Sequence, residues 1–141
     1  NGIRSCRNIT KRLAEMNRKT LLIDNDLIRG DQHHFFNKKK ISYDDFMNIN
    51  KDNIQDYYIS NCLYFIPKVS NLNDSFNFLY NDSYLNKINE IREIFDYVVF
   101  DSAPVLSVSD TSILMNYSDI NLLVVRHNLS KISQNLQPEF P

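Results

Sequence analysis

Apolar positions along the chain switch between helical and strand periods. Cys6, Ile9, Leu13 and Met16 recur at helical spacing and predict an amphipathic helix with one apolar face. Asn17 is placed to close that helix in a left-handed conformation. Thr20 to Ile23 is a short run, apolar on both faces, that ends in Asp24 and suits a buried parallel strand. The stretch from Gly30 to Asn61 is polar and predicts short helices around Tyr43–Ile49 and Asn53–Ile59. Leu63 to Ile66, before Pro67, predicts a second strand, and residues 69–77 a loop. Leu85, Ile88, Ile91 and Phe95 mark a second amphipathic helix with Asp82 or Ser83 as its N-cap. Tyr97 to Phe100 predicts a third strand, ending at Asp101. Asp110 is placed to cap a helix containing Ile113, Leu114 and Met115, and Leu122 to Val125 predicts a fourth strand before Arg126.

Helices alternating with short apolar strands predict an α/β domain with a mostly parallel central sheet. Ligands of such sheets bind beyond the carboxyl ends of the strands. Asp24 and Asp101 each stand at such an end, so both carboxylates belong to the expected ligand edge.

Composition narrows the reading. The 141 residues suit a single domain spanning 1–141, and 43% hydrophobic residues argue against wholesale disorder. A net charge of −1 offers no basic field for nucleic acid. No apolar run approaches the roughly 20 residues that span a bilayer, so no direct membrane insertion is expected of this segment. Two cysteines, Cys6 and Cys62, without metal-type spacing point to a reducing compartment. The chain opens on Asn1 and closes on PEFP, which reads as a domain truncated at both ends.

Two acidic segments carry the chemistry. In LLIDNDLIRG, Asp24 and Asp26 flank one residue at a strand end. Carboxylates so placed suit Mg²⁺, a hard cation that takes oxygen ligands, and one beside a substrate hydroxyl can accept its proton. A lone D-x-D serves as readily to cap a turn. In YVVFDSAP the apolar strand ending in Asp101 has the form of a Walker B motif, which also holds Mg²⁺. Many α/β proteins have such a strand end; the D-S-A-P that follows, and VLSVSD with Asp110, are more specific.

Taken in order, these segments resemble the kinase domain of bacterial tyrosine kinases of the capsule and exopolysaccharide type, within the P-loop NTPase superfamily. LLIDNDLIRG is similar to that family's second acidic motif, Walker A′, and GDQHHFF supplies the Gly and His that follow it, Gly30 and His33. VVFDSAPVLSVSD is similar to its Walker B segment, and SDINLLVVR, with Ser118, Asp119 and Arg126, to its next strand. The resemblance runs from about Ile9 to Ser130. It implies a three-layer, P-loop NTPase-like sandwich that binds ATP and Mg²⁺. Asp24 and Asp101 would hold the metal through water, Asp26 would be the catalytic base for the tyrosine hydroxyl, and Arg126 would contact the nucleotide. It further implies an autophosphorylating kinase that regulates capsular or exopolysaccharide polymerisation and export. Its partners would be copies of itself in a ring and a membrane polysaccharide copolymerase or adaptor. Its place would be the cytoplasmic face of the plasma membrane, reached through a fused or separate membrane segment.

Three features depart from the pattern. The basic residue expected after D-x-D-L falls on Ile28, with Arg29 one place later. Ala103 stands where the family has Pro. The phosphate loop should end in G-K-S/T just ahead of the first helix, where this chain has Asn1-Gly2-Ile3 or, with one gap, Gly2-Ile3-Arg4. Neither alignment supplies the Lys that neutralises the β- and γ-phosphates. Two further readings therefore stand beside the kinase: a catalytically silent kinase-like module of a polysaccharide copolymerase, and a Min- or partition-type ATPase. His33 and His34, being adjacent, read as loop residues rather than a metal pair. Tyr64, Tyr84 and Tyr97 read as core or half-core.

Overall fold

The computed structural model describes residues 2–26, 32–70, 78–103 and 110–125. Helix α1 runs Gly2–Glu15, followed by β1 (Thr20–Asn25), α2 (Gln32–Phe35), α3 (Tyr43–Met47), a 3₁₀ turn at Ile54–Tyr57, β2 (Tyr58–Ser60) and β3 (Leu63–Ile66). Then come α4 (Asp82–Arg92), β4 (Tyr97–Ser102) and α5 (Asp110–Tyr117). The strands form one sheet in the order β2-β3-β1-β4. Strand β1 is parallel to both β3 and β4, and only β2 runs antiparallel. The expected mostly parallel α/β sheet is thus present.

Period-2 alternation sorts the central residues between two faces. Leu21, Ile23, Tyr64 and Ile66 join the main core, packed with Phe46, Phe78, Tyr84, Ile88, Ile91 and Leu114. Leu22 and Phe65 have the opposite parity and are also fully buried, while α1 lies across β1 and β4. Apolar contacts on both faces explain why β1 reads as an uninterrupted apolar run.

Several boundaries depart from the sequence pattern. Helix α1 ends before Met16, which is 68% exposed, and among its described side chains those buried are Thr10 and Ala14. Small side chains on that stripe let the helix approach the sheet closely. Asn17 has φ 58°, the left-handed closure expected of it. The helix expected around residues 53–59 is a single 3₁₀ turn followed by β2, because Asn61 and Cys62, at φ 41° and 66°, turn the chain tightly into β3. The N-cap of α4 is Asn81, whose side chain accepts from the Ser83 N–H at 2.8 Å, rather than Asp82 or Ser83. Tyr64 and Tyr84 are buried, but Tyr97 is 46% exposed.

The largest difference concerns Leu122–Val125, which forms no strand. Leu122 and Leu123 are 69% and 75% exposed. A strand exists only against a hydrogen-bonded neighbour, and among the described residues nothing pairs with the outer edge of β4. Apolar composition alone does not supply that neighbour.

Candidate functional site

The parallel pairing of β1 and β4 runs unbroken from Thr20↔Tyr97 to Asn25↔Ser102. It makes Asp24 and Asp101 direct register partners. Neighbouring strands lie about 4.8 Å apart, so two carboxylates are held side by side at the carboxyl edge of the sheet. Both are buried, as is Asp26 just beyond β1. Their parity places Asp24 and Asp101 on the face covered by α1, whose Cys6 thiol hydrogen-bonds Asp101. Asn25 has the opposite parity, and its Nδ2 donates to the Tyr84 hydroxyl of α4 at 2.6 Å.

Each carboxylate is met by neutral donors. The Asp26 N–H donates to Asp24 Oδ1 at 3.3 Å, and the Gln32 backbone N–H also hydrogen-bonds the Asp24 carboxylate. Gln32 Nε2 donates to Asp101 Oδ2 at 2.8 Å. Among the described residues Asp24 Oδ2 is buried without a hydrogen-bond partner.

These surroundings disfavour negative charge. Burial, then the charge of Asp101, pushes the Asp24 carboxyl up to about 7, against the pull of the two backbone N–H groups. Burial also raises Asp101 above the usual carboxylate range, offset in part by the Gln32 amide, the Cys6 thiol and the Arg7 guanidinium. Burial and the same two carboxylates push the Cys6 thiol up to about 12, which makes it a poor nucleophile.

The donor set fits Mg²⁺. Among the described residues no group of three or more His, Cys, Asp or Glu side chains forms a complete metal cage. Mg²⁺ does not require one: it keeps several waters and takes one or two carboxylates together with phosphate oxygens. Asp24 Oδ2, an unpartnered buried acceptor next to a second carboxylate, is the kind of atom a hydrated cation satisfies. Helix α1 opens with no Lys before Lys11, and the Arg7 guanidinium lies 3.8 Å over the Phe35 ring.

Asp24, Asp26 and Asp101 are therefore brought together. Arg126, Ile28, Arg29 and Gly30 lie outside the described residues, as does the side chain of Asp110, which is the first residue of α5. Ser118 and Asp119 play local parts: the Ser118 hydroxyl donates to the Leu114 carbonyl at 2.9 Å, and Asp119 pairs with Arg92 at 3.3 Å. His33 and His34 sit in α2 rather than a loop, with ring centroids 4.0 Å apart, His33 buried and His34 exposed. Ala103 is buried, and its carbonyl accepts from the Thr111 hydroxyl at 2.8 Å.

Gln32 and Cys6 were not legible as site residues. Cys6 falls on the apolar face of an amphipathic pattern, and Gln32 lies within GDQHHFF but is not one of the two residues, Gly30 and His33, matched there. A cavity of about 610 Å³ lies elsewhere, bordered by Asn17, Lys19, Tyr58, Cys62 and Asp96 near the amino ends of the strands. It contains none of the three aspartates, and the Lys19 ammonium already lies 5.3 Å from both the Tyr64 and the Phe95 rings.

Residues 4–136 match the model of a family described as AAA domain. A tyrosine-protein kinase, ptk of Acinetobacter johnsonii, is 25% identical over 130 residues, 90% of this chain. The chain spans 18% of that relative's length. Among solved structures, the VpsO kinase domain aligns with a TM-score of 0.67 at 23% identity, covering 82% of this chain and 58% of that one. The chimerical protein CapA2B2 aligns at 0.69 and 20% identity, covering 79% and 51%. The kinase domain of the Escherichia coli tyrosine kinase ETK aligns at 0.62 and 20% identity, covering 79% and 45%. These three share the fold, which agrees with the P-loop NTPase-like architecture expected from the motifs.

Proposed function

Since the chain belongs to the AAA domain family, we propose that it is part of a bacterial tyrosine kinase domain and supplies the acidic half of an ATP–Mg²⁺ site. The single observation that carries this reading is the register pairing of Asp24 with Asp101, with Asp24 Oδ2 left unpartnered. When bound, Mg²⁺–ATP supplies the phosphoryl group and neutralises its oxygens. Asp24 and Asp101 are the residues that would hold the cation, through its waters. Asp26, two residues beyond Asp24, accepts the proton of the attacking tyrosine hydroxyl. Arg126, outside the described residues, is the candidate nucleotide contact that the sequence offers. Catalysis in this chemistry is mostly positioning and charge neutralisation, which suits carboxylates fixed at strand ends.

The kinase named ptk and the VpsO and ETK kinase domains support the phosphoryl-transfer reading. We extend it to autophosphorylation on tyrosine between copies of the chain, coupled to capsular or exopolysaccharide polymerisation and export. Among the described residues no helix is long and apolar enough to cross a membrane. A separate or fused membrane partner, a polysaccharide copolymerase, would hold the domain at the cytoplasmic face.

Calorimetric titration with ATP, with and without Mg²⁺, tests the site. Mg²⁺-dependent binding that Asp24→Asn and Asp101→Asn weaken is expected. Phosphotyrosine formation from ATP, lost in Asp26→Asn while binding persists, tests the transfer step. A second reading is favoured by the lysine-free opening of α1: a silent, kinase-like regulatory module. Absence of binding heat in both titrations would favour it.

A further inference from the structure

We propose that Gln32 is a positioning residue that clasps the Asp24 and Asp101 carboxylates into a cation-binding pair. The inference rests on the reading of these two aspartates as the Mg²⁺ side of the site. Gln32 meets both strands at once. Its backbone N–H hydrogen-bonds the Asp24 carboxylate, and its side-chain Nε2 donates to Asp101 Oδ2 at 2.8 Å. It is fully buried, and it opens α2 just beyond the segment that follows Asp26.

Two buried carboxylates on adjacent strands repel each other, and without donors their side chains turn apart. A Lys or Arg at position 32 would hold them but would cancel part of the charge that attracts a cation. A neutral amide fixes the Asp101 carboxylate and leaves the pair's charge for the metal. With Oδ2 of Asp101 held by the amide and Oδ1 of Asp24 by the Asp26 N–H, the unpartnered Oδ2 of Asp24 remains for a hydrated cation. Groups that orient ligands in this way typically change metal affinity by about 10- to 100-fold when removed.

The test uses the full chain and Mn²⁺ alone, so it does not depend on the phosphate loop. Free Mn²⁺ is followed by electron paramagnetic resonance, with Mg²⁺ as competitor, for wild type, Gln32→Met and Gln32→Asn. Methionine keeps the side-chain length without the donor. Asparagine keeps an amide that ends one methylene short of Asp101 and serves if the methionine variant does not fold. The expected result is Mn²⁺ binding by wild type, displaced by Mg²⁺, and about 10- to 100-fold weaker binding by either variant at a temperature where both remain folded. The loss should vanish in an Asp101→Asn background, because the pair then acts as a unit. Wild-type binding with undiminished affinity in both variants would overturn the clasp and leave the site reading standing. Equal losses with and without Asp101 would also overturn it, as the mark of a merely structural role. No Mn²⁺ binding by wild type would overturn the clasp and the cation side of the site together.

Discussion

Asp24 of β1 and Asp101 of β4 are register partners on adjacent parallel strands, both buried, and a single residue, Gln32, hydrogen-bonds both. Such a pair is unfavourable for the fold by itself and useful for a cation. That conflict gives the first prediction.

Asp24 has a folded pKa of about 7 against an ordinary value of 3.8. The folded chain therefore keeps a proton that the unfolded chain has lost across that interval. Stability must fall as pH rises from about 4 to about 7 and stay at the lower level above it. Asp24→Asn removes the titrating group and is expected to stabilise the chain near pH 8 by on the order of 2 kcal/mol, with little effect near pH 4. Urea unfolding at three pH values checks this. A wild-type contribution that grows with pH and survives in the variant would contradict it.

Tyr84→Phe keeps the ring that stacks on Phe46, with centroids 5.4 Å apart, and deletes only the hydroxyl bonded to Asn25. The buried Asn25 amide then loses its acceptor. The expected cost is about 1–3 kcal/mol, read from denaturant unfolding. A change within a few tenths of a kcal/mol would mean that the bond is made equally well to water.

Lys87 is buried on α4, and its ammonium donates to the Ile49 carbonyl at 2.9 Å and pairs with Glu90 at 2.6 Å. It ties α4 to the end of the α3 segment across the core. Lys87→Ala loses that link and leaves the Ile49 carbonyl unpaired, with an expected cost of about 1–3 kcal/mol. Glu90→Ala is expected to cost less than about 1 kcal/mol, because the Glu90 side chain is 62% exposed. A larger loss in the Glu90 variant would reverse this ranking.

Leu122 and Leu123, adjacent in the chain, are 69% and 75% exposed. Leu123→Lys is expected to leave the melting temperature unchanged and to lower self-association in analytical ultracentrifugation. A cooperative loss of stability would show that the residue is buried in solution.

The strand ends, the D-x-D and the D-S-A-P were legible because each is a local pattern. Leu21, Ile23, Tyr64 and Ile66 belong to the apolar runs the sequence displays, though which alternate residues face the main core is not visible in runs apolar on both faces, and Asn17 adopts the left-handed turn expected of it. Where local pattern misled, a non-local partner decided. Tyr58–Ser60 became a strand because Asn61–Cys62 turns it back onto β3. Leu122–Val125 did not become a strand, because among the described residues no hydrogen-bonding neighbour meets it.

By itself the amino-acid sequence determined that three aspartates stand at or beside the carboxyl ends of apolar strands, since alternation and strand termination are properties of adjacent residues. Only the tertiary structure decided that Asp24 and Asp101 are neighbours, that Cys6 and Gln32 face them, and that one oxygen is left without a donor. Register, parity and burial are relations between segments far apart in the chain, and the charge that those carboxylates carry follows from that burial rather than from their identity.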